Sequence, residues 1–422
     1  MFVKAYQDGG AEAKNYREPD VKITNTLVYP EPDKLDKLDK GSVVDATLLV
    51  DMLPDDAEWS EGSVSFKQSV SDVGVFKFVV SAPSAGNVDS YSSYLGSDAF
   101  KITDATLNVG RFYPGKFNVY SSDQTTSYNN IWDYPNSQTF TYMGQPFGLK
   151  QFYVEALSKG GGALRNYAYF DEVHHAKFNL YENNSATVSR FNASSSYKGN
   201  WLNESKGPYV SGQSVGKYSA SGLVWNKVVT EPDGPLNYLE NSSDTSISID
   251  LSSSSLDKAG VSIGVKQLRK QPDIRFGRVD LDDVGGNQGK ELRVPLRVEY
   301  WDGSRFITNS DDSQTNVKGV TAAEAHIWPT GDGANPKAVT LGAGGEVASG
   351  YSRSVTAKEA ESYRQQTRVW LNLEGGGNSL PWLKYDWDKD GSEENPSSVV
   401  TFGIHRGNDR VIYRGEPGLT GQ

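Results

Sequence analysis

Cysteine is absent from all 422 residues, so the chain has no disulfide, no thiol nucleophile and no thiolate to hold zinc. The same absence leaves the redox compartment unreadable from thiols. Histidine is scarce as well: there are four, and the adjacent pair His174 and His175 lacks a third ligand at metal-site spacing. No apolar run reaches the roughly 18–20 residues that a membrane-spanning helix needs. The opening residues Met1, Phe2, Val3 and Lys4 are not the apolar centre of a secretory signal, and Met1 reads as the start of a fragment. No Walker loop occurs, so nothing announces a phosphate cradle.

Positive charge is in deficit. Against 42 Lys and Arg stand 53 Asp and Glu, a net charge of −11 with a sequence pI near 5.0. Such a field repels phosphate backbones and anionic head groups, so nucleic acid is not an expected partner. Apolar residues make up 36%, below the usual range of about 45–50%.

What is present points to strands and turns. Glycine (43 residues) supplies the positive φ of tight turns, and Tyr (23) outnumbers Phe (16). Alternation of period two, the pattern of a half-buried strand, recurs along the chain. Ala46, Leu48, Val50 and Met52 form one set; Phe76, Phe78 and Val80 another; Phe152, Val154 and Ala156 a third. Later sets are Ile247, Ile249 and Leu251; Leu292, Val294, Leu296, Val298 and Tyr300; Val369, Leu371 and Leu373; and Val400, Phe402 and Ile404. Within the run 292–300, Pro295 lacks an N–H and predicts an edge strand or a bulge. Helical signal is confined to 356–368, where Ala, Glu, Lys and Gln gather. The polar stretch 183–221 reads as long loops with short strands. The expected fold is therefore all-β, in tandem immunoglobulin-like β-sandwich modules at 1–106, 107–265 and 266–422.

One stretch has the chemistry of an ion site. Asp386, Asp388 and Asp390 occupy positions 1, 3 and 5 of an acidic loop with Gly391 at position 6. Calcium takes six to eight hard oxygen ligands, and this spacing wraps a short loop around one ion. The Ser392 carbonyl falls at position 7 and Glu394 at position 9, with Glu393 as the alternative acid. An EF-hand needs a Glu at position 12, where this chain has Ser397, and the alternating residues after it form a strand. The reading is a calcium-clasped turn between strands.

Other candidates read more plainly. Asp311 and Asp312 are adjacent, so along a strand they point to opposite faces, unlike a glycosidase acid and base. They are expected in a turn, as are Asp282 with Asp283 and Asp55 with Asp56. Asn183, Asn192, Asn203 and Asn241 begin Asn-x-Ser triplets, which a chain rich in Asn and Ser contains by chance. Trp382 and Trp387 flank the acidic loop and are the candidate platform for a sugar ring, a surface glycan being the ligand class.

Five stretches carry a family resemblance: 140–147 (FTYMGQPF), 273–278 (DIRFGR), 298–313 (VEYWDGSRFITNSDDS), 380–391 (LPWLKYDWDKDG) and 401–413 (TFGIHRGNDRVIY). In this order they are similar to the C-terminal region of the MshQ proteins of the mannose-sensitive haemagglutinin (MSHA) type IV pilus system of Gram-negative bacteria. The resemblance implies an extracellular, pilus-associated protein at the cell surface, without catalytic residues. It implies adhesion or assembly with minor pilins as partners. Relatives carry cysteine near the positions of Gln138 and Gln314, so the disulfide implied for them does not carry over. The sequence as a whole is read as a non-enzymatic binding protein, with a calcium-stabilised carbohydrate-binding module as the alternative.

Overall fold

The computed structural model describes residues 1–17, 21–32, 43–53, 56–82, 102–120, 130–182, 190–193, 196–204, 212–238, 244–252 and 260–404. Across them the protein is all-β, as expected, with only short 3-10 turns between strands.

The first module holds β1 (Phe2–Lys4), β2 (Lys22–Tyr29), β3 (Trp59–Ser60), β4 (Ser63–Ser65), β5 (Gly74–Ser81) and β6 (Ala105–Phe112), in two antiparallel sheets ordered β1-β4-β3 and β2-β5-β6. Phe76 and Phe78 lie inward on β5 with Ile23 and Leu27 of β2. The boundary expected after residue 106 falls inside β6, which pairs with β5 from Ala105 to Phe112. Of the set Ala46, Leu48, Val50 and Met52, the first three pack inward and Leu49 is exposed, but Met52 is exposed too, and no strand ladder forms there. The Gln68 side chain satisfies that backbone instead, accepting from the N–H of Leu49 and Val50 and donating to the Val50 carbonyl.

The second module comprises β7 (Lys116–Val119), β8 (Ile131–Asp133), β9 (Thr141–Tyr142), β10 (Phe147–Leu157), β11 (Phe178–Glu182), β12 (Phe191–Asn192), β13 (Ser196–Glu204), β14 (Gln213–Trp225), β15 (Ile247–Leu251) and β16 (Ser262–Ile263). Its large sheet runs β12-β14-β10-β7-β16, with β13 also on β14 and β8 on β10, and the β11-β15 pair completes it. Phe152, Val154 and Ala156 are fully buried along β10, and each large apolar side chain so buried contributes about 1.5–3 kcal/mol. Within the polar stretch expected as long loops with short strands, the described residues build β12, β13 and the start of β14, and β13 is longer than expected, paired without interruption from Ser196↔Ser221 to Glu204↔Gln213. Pairing along the long β14 overrides the weak strand propensity of Ser, Gly and Asn.

The third module contains β17 (Ile274–Arg275), β18 (Gly277–Leu281), β19 (Val284–Gly286), β20 (Leu292–Trp301), β21 (Phe306–Thr308), β22 (Asn316–Lys318), β23 (Thr321–Trp328), β24 (Val339–Glu346), β25 (Tyr351–Glu359), β26 (Gln365–Leu371) and β27 (Ser397–Phe402). A six-stranded sheet, β18-β20-β25-β24-β22 with β21 on β20, faces a four-stranded one, β19-β27-β26-β23. Val279, Val294, Val298, Val355, Val369, Leu371, Val400 and Phe402 fill the space between. β20 is internal, not an edge, and Pro295 sits where its register with β25 shifts between Val294 and Leu296. The missing N–H is thus absorbed by a bulge. The helix expected at 356–368 is absent: β25 and β26 occupy it, because Val355, Ala357, Thr367 and Val369 alternate inward.

The second and third modules interlock. Phe140 and Tyr142 are buried in the core of the third, whereas Ile274 and Phe276 are buried in the core of the second. The parallel pair β9-β17 is the crossing point.

Candidate functional site

The acidic loop leaves a 3-10 turn, Pro381–Leu383, whose Leu383 is fully buried in the third core. Two steps on, Tyr385 and Glu394 bridge antiparallel: the Glu394 N–H donates to the Tyr385 carbonyl at 2.9 Å and the Tyr385 N–H donates back at 3.3 Å. The loop is thereby closed at its base.

Inside it, short polar side chains coil the backbone. Asp386 accepts from the N–H of Asp390 and of Gly391, each at 3.0 Å. Asp388 also accepts from the Asp390 N–H at 3.1 Å, Asp390 accepts from the Ser392 N–H at 2.8 Å, and Glu394 accepts from the Trp387 N–H at 2.8 Å. Lys389 (φ 63°) and Gly391 (φ 94°) take the left-handed turns, and only the glycine does so without crowding a Cβ. As a result one carboxylate oxygen from each of Asp386, Asp388, Asp390 and Glu394 lies within 4.8 Å of the others. Two oxygens bound to one calcium at about 2.4 Å stand at most about 4.8 Å apart, so the donor set fits a single hard cation. Asp386 is buried, Asp388 and Asp390 are exposed and Glu394 is half-buried, which leaves an opening toward solvent. Ser392, exposed, occupies the seventh position.

Glu393, the alternative acid, is used elsewhere. Its Oε1 lies 2.8 Å from the Lys227 Nζ, which also donates to the Lys384 carbonyl at 2.7 Å and lies over the Phe276 ring at 4.9 Å. Lys227 follows β14 of the second module, and its side chain is only 5% exposed. Burial pushes its ammonium below the usual lysine range even though Glu393 pulls the other way. No local sequence signal marks Lys227, because its partners lie more than 150 residues away.

The two tryptophans are placed differently. Trp382 is half-buried against the third core, and its indole N–H has no acceptor among the described residues. Trp387 is 36% exposed, with the Arg278 guanidinium 4.6 Å from its ring centre and Tyr385 edge-on at 5.2 Å. Arg278 also stacks on Phe306 and Tyr385 while bonding Glu299 at 2.8 Å. The loop's aromatic residue is thereby fixed to β18.

The remaining candidates serve packing. Asp312 is fully buried and accepts from Tyr142 Oη (2.7 Å), Thr315 Oγ1 (2.6 Å) and the N–H of Gln314 and Thr315. Asp311 pairs with Arg275 at 2.8 Å, Asp282 with Arg297 at 2.8 Å, and Asp283 accepts from the Val399 N–H. His174 contacts Arg111, and His175 lies against Tyr167 and Trp201. The string Gly-x-Ser-x-Gly occurs at 212–216 and 260–264, but Ser214 and Ser262 lie in strands β14 and β16. Ser214 is fully buried and donates to the Arg165 carbonyl, which is not the exposed strand-to-helix turn that a nucleophile needs. The Asn203 amide is held by two carbonyls. Asp55, Asn183, Asn241 and His405 lie outside the described residues.

Interlocked β-sandwich modules with one carboxylate loop at their joint define a modular β-protein. Residues 72–261 match the third domain of DUF6701 and residues 275–417 match its fourth domain, together most of the chain. The chain belongs to the DUF6701 family. No curated protein matches the sequence. Among solved structures, the Escherichia coli adhesin FdeC is 9% identical, covering 94% of this chain and 90% of its own, with a TM-score of 0.26. The Yersinia pseudotuberculosis adhesin InvE is 12% identical over 65% of this chain and 59% of its own, with a TM-score of 0.22. Domains 4–9 of the surface-layer protein SbsC are 13% identical over 94% of this chain and 42% of that one, with a TM-score of 0.15.

Proposed function

We propose that the protein is a non-catalytic extracellular binding component of a bacterial surface structure, an adhesin or assembly factor of an MSHA-like type IV pilus that docks onto minor pilins. In this reading calcium is held by Asp386, Asp388, Asp390, Glu394 and the Ser392 carbonyl, and it stiffens the chain where two modules meet. The observation that carries it is the convergence of four carboxylates within 4.8 Å in a turn whose neighbours reach both modules, Glu393 to Lys227 and Trp387 to Arg278. The ion would act structurally, since a ligand that binds only the folded form stabilises it by RT ln(1 + [L]/Kd), about 2.7 kcal/mol at a hundredfold excess over Kd.

Two experiments test this. Calcium raises the melting temperature of the parent chain, and Asp388→Ala with Asp390→Ala abolishes that rise; a calcium-insensitive parent removes the ion. Purified protein binds minor pilins in a pull-down, and deleting the gene reduces piliation or attachment. If neither effect appears, the pilus assignment is abandoned. A carbohydrate-binding module is the second reading, favoured by the exposed ring of Trp387. A neutral glycan whose affinity falls with Trp387→Ala would support it.

A further inference from the structure

In a chain of net charge −11, three lysines meet on the solvent face of one sheet. In the β13-β14 ladder, Lys198 stands opposite Ser219 and Asn200 opposite Lys217. Opposed residues and alternate residues share a face, so these four project together. Lys150 joins them from β10, within the bulged stretch between Leu149 and Phe152. All three lysines are exposed, and with Asn200 and Ser219 they line a groove of about 300 Å³. Lys150 also lines a second recess of about 620 Å³, floored by Trp132 and Phe147 and rimmed by Asn136, Ser137 and Ser221. Lys150 stands between the two recesses and lines both, and together they are termed the trough.

The charge is poorly neutralised. Asp133, 3.3 Å from Lys150, is the one carboxylate paired with these lysines among the described residues. Glu155, further along β10, is occupied by Asn118 and Gln213. Lys217 lies 5.8 Å from the Tyr153 ring centre, and Lys198 has no ion pair among the described residues. At the rim Asn136 (φ 51°) and Ser137 (φ 61°) both hold left-handed backbone, which residues with a Cβ rarely do in succession and which recurs at ligand sites.

We propose that this trough binds an anionic polysaccharide, with the three lysines on its carboxylate or sulfate groups and the Asn and Ser side chains on its hydroxyls. Lys150 and Lys198 lie on strands either side of Ser219, and Lys217 is two residues further along β14, so the three charges spread over three strands about 4.8 Å apart and along them, an area that fits a repeating polyanion better than a single small anion. Single-stranded nucleic acid needs open aromatic faces for its bases, whereas Trp132 is only 6% exposed and donates its N–H to the Lys270 carbonyl. The site lies apart from the acidic loop and is independent of the pilus assignment.

Titration of the full chain with alginate and with dextran sulfate at low salt, with neutral dextran and duplex DNA alongside, tests it. Both polyanions bind, neutral dextran does not, and added salt weakens the binding. The triple variant Lys150→Gln, Lys198→Gln and Lys217→Gln loses about tenfold or more in affinity at an unchanged melting temperature. The corresponding triple arginine variant keeps it. Silence toward both polyanions, or undiminished binding by the glutamine variant, overturns the proposal. DNA bound as tightly and lost in the same variant overturns it in favour of phosphate recognition. Loss of binding on chelation would place the polyanion on a loop-bound cation and overturn it as well.

Discussion

The ammonium of Lys227 lies 2.8 Å from the carboxylate of Glu393, and the two residues belong to different modules. Lys227 is almost fully buried and Glu393 is one-quarter exposed, so removing either partner strands a charge in a poorly solvated joint. Lys227→Met alone, or Glu393→Gln alone, is expected to cost about 3 kcal/mol, the low end for a broken buried pair because Glu393 keeps some solvent. The double variant should recover part of that loss. Denaturant unfolding of the four proteins measures the coupling; strictly additive costs would show that the pair is not acting as one unit.

Arg275 makes a comparable prediction at the crossing of the second and third modules. Its fork bonds Asn309 at 2.6 Å, Asp311 at 2.8 Å and Asp273 at 3.0 Å, and its plane lies 4.2 Å from the Phe140 ring centre. Lysine is a point charge without the fork or the flat face, so Arg275→Lys should destabilise by about 3 kcal/mol despite keeping the charge. Burial already pushes the Asp273 carboxyl up against the opposing pull of Arg275. Loss of the guanidinium raises it further. The folded chain then holds a proton that the unfolded chain has released, so the variant's extra destabilisation grows as pH climbs above about 4. A melting difference from the parent that stays constant from pH 4 to 7 would count against this account.

The strands were legible in the sequence where alternation was strong. Phe152, Val154 and Ala156, or Val369, Leu371 and Leu373, point inward as their spacing requires. Local pattern and fold diverge where pairing partners decide. Residues 356–368 carry helix formers, yet Ala357 and Thr367 are needed by a core between two sheets. Likewise the strand from Ser196 to Glu204 runs longer than its Ser, Lys, Gly and Asn content suggests, because the β14 ladder holds it. The convergence of Asp386, Asp388, Asp390 and Glu394 is legible in the sequence because an acidic turn is local in the chain. The roles of Lys227 and Arg278 were not, since each reaches its loop neighbour only through the packing of distant strands. The same holds for the lysine trough, whose three cations come from three strands brought into register by pairing.

Backbone crowding yields a third prediction. Gly344 holds φ 123° in β24, and a Cβ there would lie 2.2 Å from the Val317 carbonyl oxygen and 2.7 Å from the Lys318 Cα. Both obstacles are backbone, so neither can swing aside. Gly344→Ala should therefore break the β22-β24 pairing and cost about 3 kcal/mol or more, from overpacking together with left-handed strain. Hydrogen exchange at the amides of 316–319 and 344–346 reads the loss directly. Parent-like protection in the variant would mean that the strand pair tolerates the shift.

His175 gives a pH signature whose sign is fixed by its surroundings. Its ring packs against Tyr167 and Trp201, and its Nε2 lies 3.1 Å from the Tyr167 carbonyl. Burial lowers its proton affinity, and the Tyr167 carbonyl with Glu172 and Asp171 only partly offsets that. The unfolded chain takes up a proton near pH 6.5, whereas the folded chain waits for a lower pH. Between those two values the unfolded state binds more protons, so stability falls as pH drops through about 6.5 and levels off once the folded form titrates too. Proton NMR should place the His175 midpoint below 6.5. His175→Gln, which retains a donor for the Tyr167 carbonyl, should flatten the stability curve over the same interval. A midpoint at or above 6.5, or an unchanged slope in the glutamine variant, would show that the ring is solvated and that the packing around Trp201 is looser than the contacts indicate.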